Sequence, residues 1–214
     1  MIAVDNDVLL KAATYDIAEL FWIDCSPHDL GVLGAAKYVL PSVIARTLPQ
    51  KGVEPVLAAL ERILAAASVL EPEQDELALA ASIESAAQVA AVPLDVGESQ
   101  LCAIVIHRGL EMLETGDKRA IRGFEQVLDV LAELAPIEGR LRCLEQIVLR
   151  AIADDGALHA IAEAVCGESG ADKTLAICFR CASGQAVDRA SIEQGLNSYI
   201  DALRDAAKRL LCPN

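Results

Sequence analysis

The chain has 214 residues, 54% hydrophobic but only 3% aromatic, which is enough for one sizeable core built from Ala, Leu, Val and Ile rather than from rings. A net charge of −14, from 18 basic and 32 acidic residues, excludes a surface coated in cations for sequence-independent DNA binding, yet leaves room for a site made of acids. No basic leader precedes Ile2, no apolar stretch reaches the length of a membrane span, and the 7 cysteines lack the spacing of a disulfide framework, so the expectation is a cytoplasmic protein with reduced thiols and no membrane partner.

In chain order, Met1–Val4 reads as a short buried strand. Asp5-Asn6-Asp7 then turns the chain into a helix running to about Phe21, with Val8, Leu9, Ala12 and Ala13 at helical spacing. Ser26 to Gly34 reads as a loop, and Lys37–Leu40 as a second strand stopped by Pro41. Helices follow from about Pro55 to Ala67 and from Glu73 to about Ala90, the latter Ala-rich. Asp95 and Glu98, at Asp-x-x-Glu spacing, form a capping box for an apolar helix that ends at Gly109. Glu111–Thr115 is the third strand, and Lys118 to about Leu134 a helix broken by Pro136. Leu141–Leu144 is the last strand, followed by a helix through Ala153.

Asp154-Asp155-Gly156 marks a boundary, so the expected domains are residues 1–153 and a helical extension over 154–214. Ile192, Leu196, Tyr199, Ile200 and Leu203 give the extension an amphipathic face, suited to packing on the first domain or to a partner protein. Strands alternating with helices predict an α/β fold: a small parallel sheet flanked by helices, helix-rich overall, with an all-helical C-terminal extension.

The acids carry the functional reading. Asp5 ends the first strand, Glu98 lies in the first turn of a helix, and Asp117 follows the third strand in Thr115-Gly116-Asp117-Lys118-Arg119-Ala120. Ligands of open α/β sheets bind beyond the carboxyl ends of the strands, so three acids placed there can converge. Such a set suits a hard cation, Mg²⁺ or Mn²⁺, and the hydrolysis of a phosphodiester. Asp7, Asp95 and Glu145 are additional candidate acids. Lys118, Arg119 and Arg122 would form a phosphate rim that Lys11 and Thr115 could join. His28, His107 and His159 are widely separated and form no pairing motif. Cys178-Phe179-Arg180-Cys181 has CxxC spacing, but it lies in an apolar helical run without a second pair, which favours buried thiols over a zinc site.

Asp5 after the first strand, Gly97-Glu98-Ser99 opening an apolar helix, and Gly116-Asp117-Lys118-Arg119-Ala120 together resemble the PIN domain over about residues 1 to 150. The resemblance implies a compact α/β nuclease fold and a metal-dependent ribonuclease, with Asp5, Glu98 and Asp117 as catalytic and metal-binding acids. It also implies an RNA substrate and, as for toxins of bacterial toxin–antitoxin pairs, an antitoxin partner, while the amphipathic C-terminal face would suit a partner protein or a second copy of the chain. Many members carry another acid on the helix after the second strand; Pro41–Arg46, where this sequence places that helix, has none. Glu145 is the nearest acid to the last strand. The alternative expectation is therefore a non-catalytic PIN-like module that works through protein contacts.

Overall fold

The computed structural model describes residues 1–23, 25–183 and 188–213. Five short strands, β1 (Ile2–Val4), β2 (Leu30–Leu33), β3 (Ser68–Leu70), β4 (Met112–Thr115) and β5 (Leu141–Cys143), form one all-parallel sheet in the order β3-β2-β1-β4-β5. The chain winds outward from β1 through β2 to β3, then returns to the other side of β1 with β4 and β5. The strand order therefore reverses between β1 and β4, where a doubly wound sheet leaves a crevice at its carboxyl edge.

Both faces are covered, as parallel strands require. The helices are α1 (Asn6–Tyr15), α2 (Ala18–Phe21), α3 (Ala36–Thr47), α4 (Val53–Ala66), α5 (Gln74–Val89), α6 (Val96–Arg108), α7 (Lys118–Val127), α8 (Leu144–Ala151), α9 (Asp155–Gly167), α10 (Lys173–Cys178) and α11 (Arg189–Ala206). On one face Ile2, Val4, Leu30, Val32 and Met112 pack with Leu9, Leu40, Leu60 and Ile147. On the other, Ala3, Leu33, Leu70, Leu113 and Leu141 pack with Ile83, Ile104 and Phe124. The α/β class and the helical C-terminal region match the expectation.

Residues after Asp154 enter both clusters: Ile161, Leu175, Phe179 and Leu196 the first, Ile200, Leu203 and Leu210 the second. The last stretch also lies along the outer edge of β5. Leu141 N–H donates to Leu210 O at 3.0 Å, and Cys212 N–H donates to Leu141 O at 2.8 Å. Opposite each other on β4 and β5, Glu114 and Arg142 form a buried ion pair of 2.7 Å, and Trp22 Nε1–H donates to the second Glu114 oxygen, also at 2.7 Å.

Three expectations are corrected. Lys37–Leu40 is helical, part of α3, and Pro41 lies inside that helix. Ala36, Leu40 and Ile44, spaced four apart, form its buried stripe while Lys37, Tyr38 and Val39 are exposed. The second strand is instead β2, within the segment expected to be loop. Gly31 sits inside it because a Cβ there would stand 2.7 Å from Leu70 Cδ1. Finally, Cys166 and Cys181 form a disulfide, so the thiols are not all free; Cys178 remains free and buried. Among the described residues, no helix is long and apolar enough to cross a membrane.

Candidate functional site

The carboxyl ends of β1 and β4 bring the first acids together. Asp5 N–H donates to Glu114 O at 2.9 Å, which carries the β1–β4 pairing one residue beyond β1. Asp5 occupies the N-cap position of α1, but its side chain makes no capping hydrogen bond. Instead Asp5 Oδ2 accepts from the buried Thr115 hydroxyl at 3.2 Å. That hydroxyl oxygen also accepts from Asp117 N–H at 3.2 Å, tying together both sides of the crevice.

Glu98 arrives from α6. Its backbone N–H donates to Asp95 Oδ1 at 2.8 Å, and its Oε2 accepts from Asp95 N–H at 2.9 Å, a complete capping box. Both Asp5 and Glu98 are buried, with 8% and 6% of their surface exposed. Burial pushes the Glu98 carboxyl up to about 8; the Asp95 N–H opposes this, and the charges of Asp95, Asp5 and Asp117 add to it. Burial likewise lifts Asp5 to about 6, against the Asn6 N–H and with the charges of Asp7 and Asp95. The acids thus repel one another across one crevice, the electrostatic condition under which a cation is attracted.

Asp117 is differently engaged. It caps α7 by accepting from Arg119 N–H at 2.7 Å, and the Arg119 guanidinium folds back onto its carboxylate at 2.6 Å. Burial works to raise its pKa, but these bonds and the Arg119 charge overcome that effect and hold it below the usual carboxylate range. Gly116 lets the chain pass against Asp7: a Cβ there would lie 2.0 Å from Asp7 Oδ2 and 3.2 Å from Lys11 Nζ.

Of the expected phosphate-binding cations, Lys11, Lys118 and Arg119 each face an acid. Lys11 Nζ lies 2.5 Å from Asp7 Oδ2 and 3.0 Å from Asp172 Oδ2. Burial lowers the Lys11 pKa, but the two carboxylates outweigh it and the net shift is upward. Lys118 Nζ lies 2.5 Å from Glu145 Oε1, donates to Thr174 Oγ1 at 3.2 Å and sits 5.7 Å over the Tyr199 ring. Glu145 is therefore near the site but committed to Lys118 in a buried setting. Arg122 is exposed on α7.

Asp172 and Thr174 are neighbours of these lysines that sequence reasoning missed. The sequence signal for Asp172 was its role as an N-cap, which it plays by accepting from Leu175 N–H at 2.9 Å. Nothing in the sequence showed that the same carboxylate reaches Lys11. The chain after Asp155 thus supplies two polar groups beside these lysines.

The donors are hard oxygen ligands of the kind Mg²⁺ or Mn²⁺ takes. Among the described residues, no group of three or more His, Cys, Asp or Glu side chains is gathered closely enough to hold a metal ion. Asp117 is turned to Arg119 and Asp7 to Lys11, so a cation would need one of these ion pairs to open. A cleft of about 190 Å³ opens beside Asp7, lined by Asp7, Lys11, Thr14, Thr47, Gln50 and Glu168 among others, and does not include Asp5, Glu98 or Asp117. A larger cavity of about 330 Å³, beside Trp22, Cys25 and Leu30, contains none of the candidate acids. The chain is a parallel α/β protein with clustered acids at its strand-order reversal, and no protein-family model, curated protein or solved structure matches it.

Proposed function

We propose that this protein is a PIN-like, Mg²⁺- or Mn²⁺-dependent ribonuclease of the cytoplasm, acting at the crevice between β1 and β4. The observation that carries the reading is the meeting of acids from three elements at the reversal of strand order: the Thr115 hydroxyl links Asp5 Oδ2 to the Asp117 N–H, and the charges of Asp5 and Asp117 add to the burial that raises Glu98. In this reading Asp5 and Glu98 hold the cation from buried positions, and Asp117 joins them when Arg119 leaves it for a phosphate oxygen. A bound cation would lower the pKa of water and neutralise charge on the scissile phosphate. Thr115 keeps Asp5 oriented, while Lys11, Lys118, Arg119 and Arg122 draw and place the phosphodiester backbone. A toxin-like role, with an antitoxin, another protein or a second copy as partner, belongs to the same proposal.

The second reading is a non-catalytic module working through protein contacts. It is favoured by the absence of any acid on α3 and by the internal pairing of Lys11, Lys118 and Arg119. Manganese titration followed by thermal unfolding separates the two. A nuclease is stabilised by millimolar Mn²⁺, loses that shift in Asp5→Asn, and cleaves single-stranded RNA only with metal present. A chain whose melting temperature does not move with Mn²⁺, and which leaves RNA intact, is the module.

A further inference from the structure

Two cations of the site, Lys11 and Lys118, are contacted by a segment that its own disulfide closes. Cys166, near the end of α9, is bonded to Cys181, just beyond α10, at a sequence separation of 15. Between them the chain leaves α9, passes along the cleft beside Asp7 and Lys11, and re-enters the core. Glu168 clamps the crossing at one end, accepting Gln50 N–H at 2.8 Å and Lys51 N–H at 2.7 Å. Asp172 then reaches Lys11 and Thr174 reaches Lys118, the two buried or half-buried lysines of the phosphate rim. Leu175 and Phe179 seat the far end in the hydrophobic cluster. Residues 168–172 carry no helix, and their placement rests on polar contacts and on the loop being closed.

We propose that Cys166–Cys181 closes a redox-released strap, which holds Asp172 and Thr174 over Lys11 and Lys118 when oxidised and uncovers both lysines for phosphate when reduced. The inference rests on the phosphate-binding reading of those lysines. An intact crosslink restricts the conformations open to the crossing, so the contacts of Asp172 and Thr174 form at little further entropic cost. Both cysteines are half-buried rather than sealed. A dithiol reductant attacks one sulfur as thiolate and forms a mixed disulfide with it. Its second thiol then displaces that sulfur, leaving two protein thiols and one oxidised reductant. Phe179 stays seated in the core, so opening frees the crossing and the first turn of α10, which carries Thr174. A disulfide in a reducing compartment is more often a sensor than a static staple, which agrees with the proposed location.

The test follows lysine accessibility and RNA binding separately in the full chain. Amine acetylation, read by mass spectrometry, compares Lys11 and Lys118 with the exposed Lys37 before and after dithiothreitol. Anisotropy of a fluorescein-labelled single-stranded RNA, in EDTA so that no cleavage occurs, reads the phosphate rim. Reduction is expected to speed acetylation of Lys11 and Lys118 but not Lys37, and to tighten RNA binding about fivefold, as unmasking two cations would. C166S/C181S should behave as reduced with or without dithiothreitol. Asp172→Asn, which keeps the α10 cap but removes the charge on Lys11, should gain RNA affinity while still oxidised. Equal acetylation in both redox states overturns the strap, whatever the RNA does. Faster acetylation with no gain in RNA affinity shows that the strap opens, and overturns the phosphate role of the lysines and the gating with it.

Discussion

Asp5 and Glu98 are held as acids that would rather be protonated, and this sets how the protein responds to pH. Their folded pKa values, about 6 and about 8, lie above the ordinary 3.8 and 4.5. Each therefore contributes stability that is complete below its ordinary value and is lost as pH rises through its folded value. Glu98→Gln keeps the capping box, because Gln can still accept from Asp95 N–H, and removes the charge. The variant should be more stable than the parent at pH 8 by about 2 kcal/mol and no more stable at pH 4, as urea unfolding at the two values would show. Arg119→Ala addresses the other acid. It frees Asp117 from its guanidinium while leaving the backbone cap, so Mn²⁺ affinity should rise about threefold and RNA affinity should fall. Isothermal titration with Mn²⁺ and RNA anisotropy check the two halves; a fall in both affinities would mean that Arg119 orders the site rather than closing it.

At the scale of elements, the strands that were legible in the sequence are those whose apolar runs end in an acid or a turn: β1, β4 and β5. The two that were not are physically atypical. β2 contains a glycine, needed for the close approach of Leu70, and so resembles a loop; β3 is an edge strand with Val69 exposed, so it lacks the buried apolar run of the others. Lys37–Leu40 misled in the opposite direction, since Tyr, Val and Leu before a proline look like a strand, and only the spacing of Ala36, Leu40 and Ile44 marks the helix. Asp5, Glu98 and Asp117 could be placed because their positions depend on strand ends and helix starts. The contacts of Asp172 and Thr174 were hidden because they depend on how α9 and α10 cross the sheet edge. One such crossing contact can be weighed directly. Glu168, 6% exposed, satisfies two backbone N–H groups in the connection between α3 and α4. Glu168→Ala should cost about 2 kcal/mol in chemical denaturation, with hydrogen exchange at Gln50 and Lys51 rising most.

At the scale of the whole molecule, the residues after Asp154 fill both sides of the sheet rather than resting on one. Phe179 and Leu196 belong to one cluster, and Leu203 and Leu210 to the other. A chain ending at residue 153 should therefore lose cooperative thermal unfolding and bind an apolar dye, keeping helical circular dichroism without a sharp transition. A sharp transition in that fragment would show residues 1–153 to be self-sufficient. The pair Glu114–Arg142 bears on this assembly in another way. The two residues stand directly opposite across β4 and β5, with Trp22 on the remaining carboxylate oxygen. A slip of β4 by one residue would turn Glu114 toward the aliphatic side where Leu113 now lies, stranding a charge among Leu, Ile and Phe. Sliding is thus made costly in a sheet of very short strands, where few side chains resist it. The pin also fixes where β4 ends, and so holds Thr115 level with Asp5.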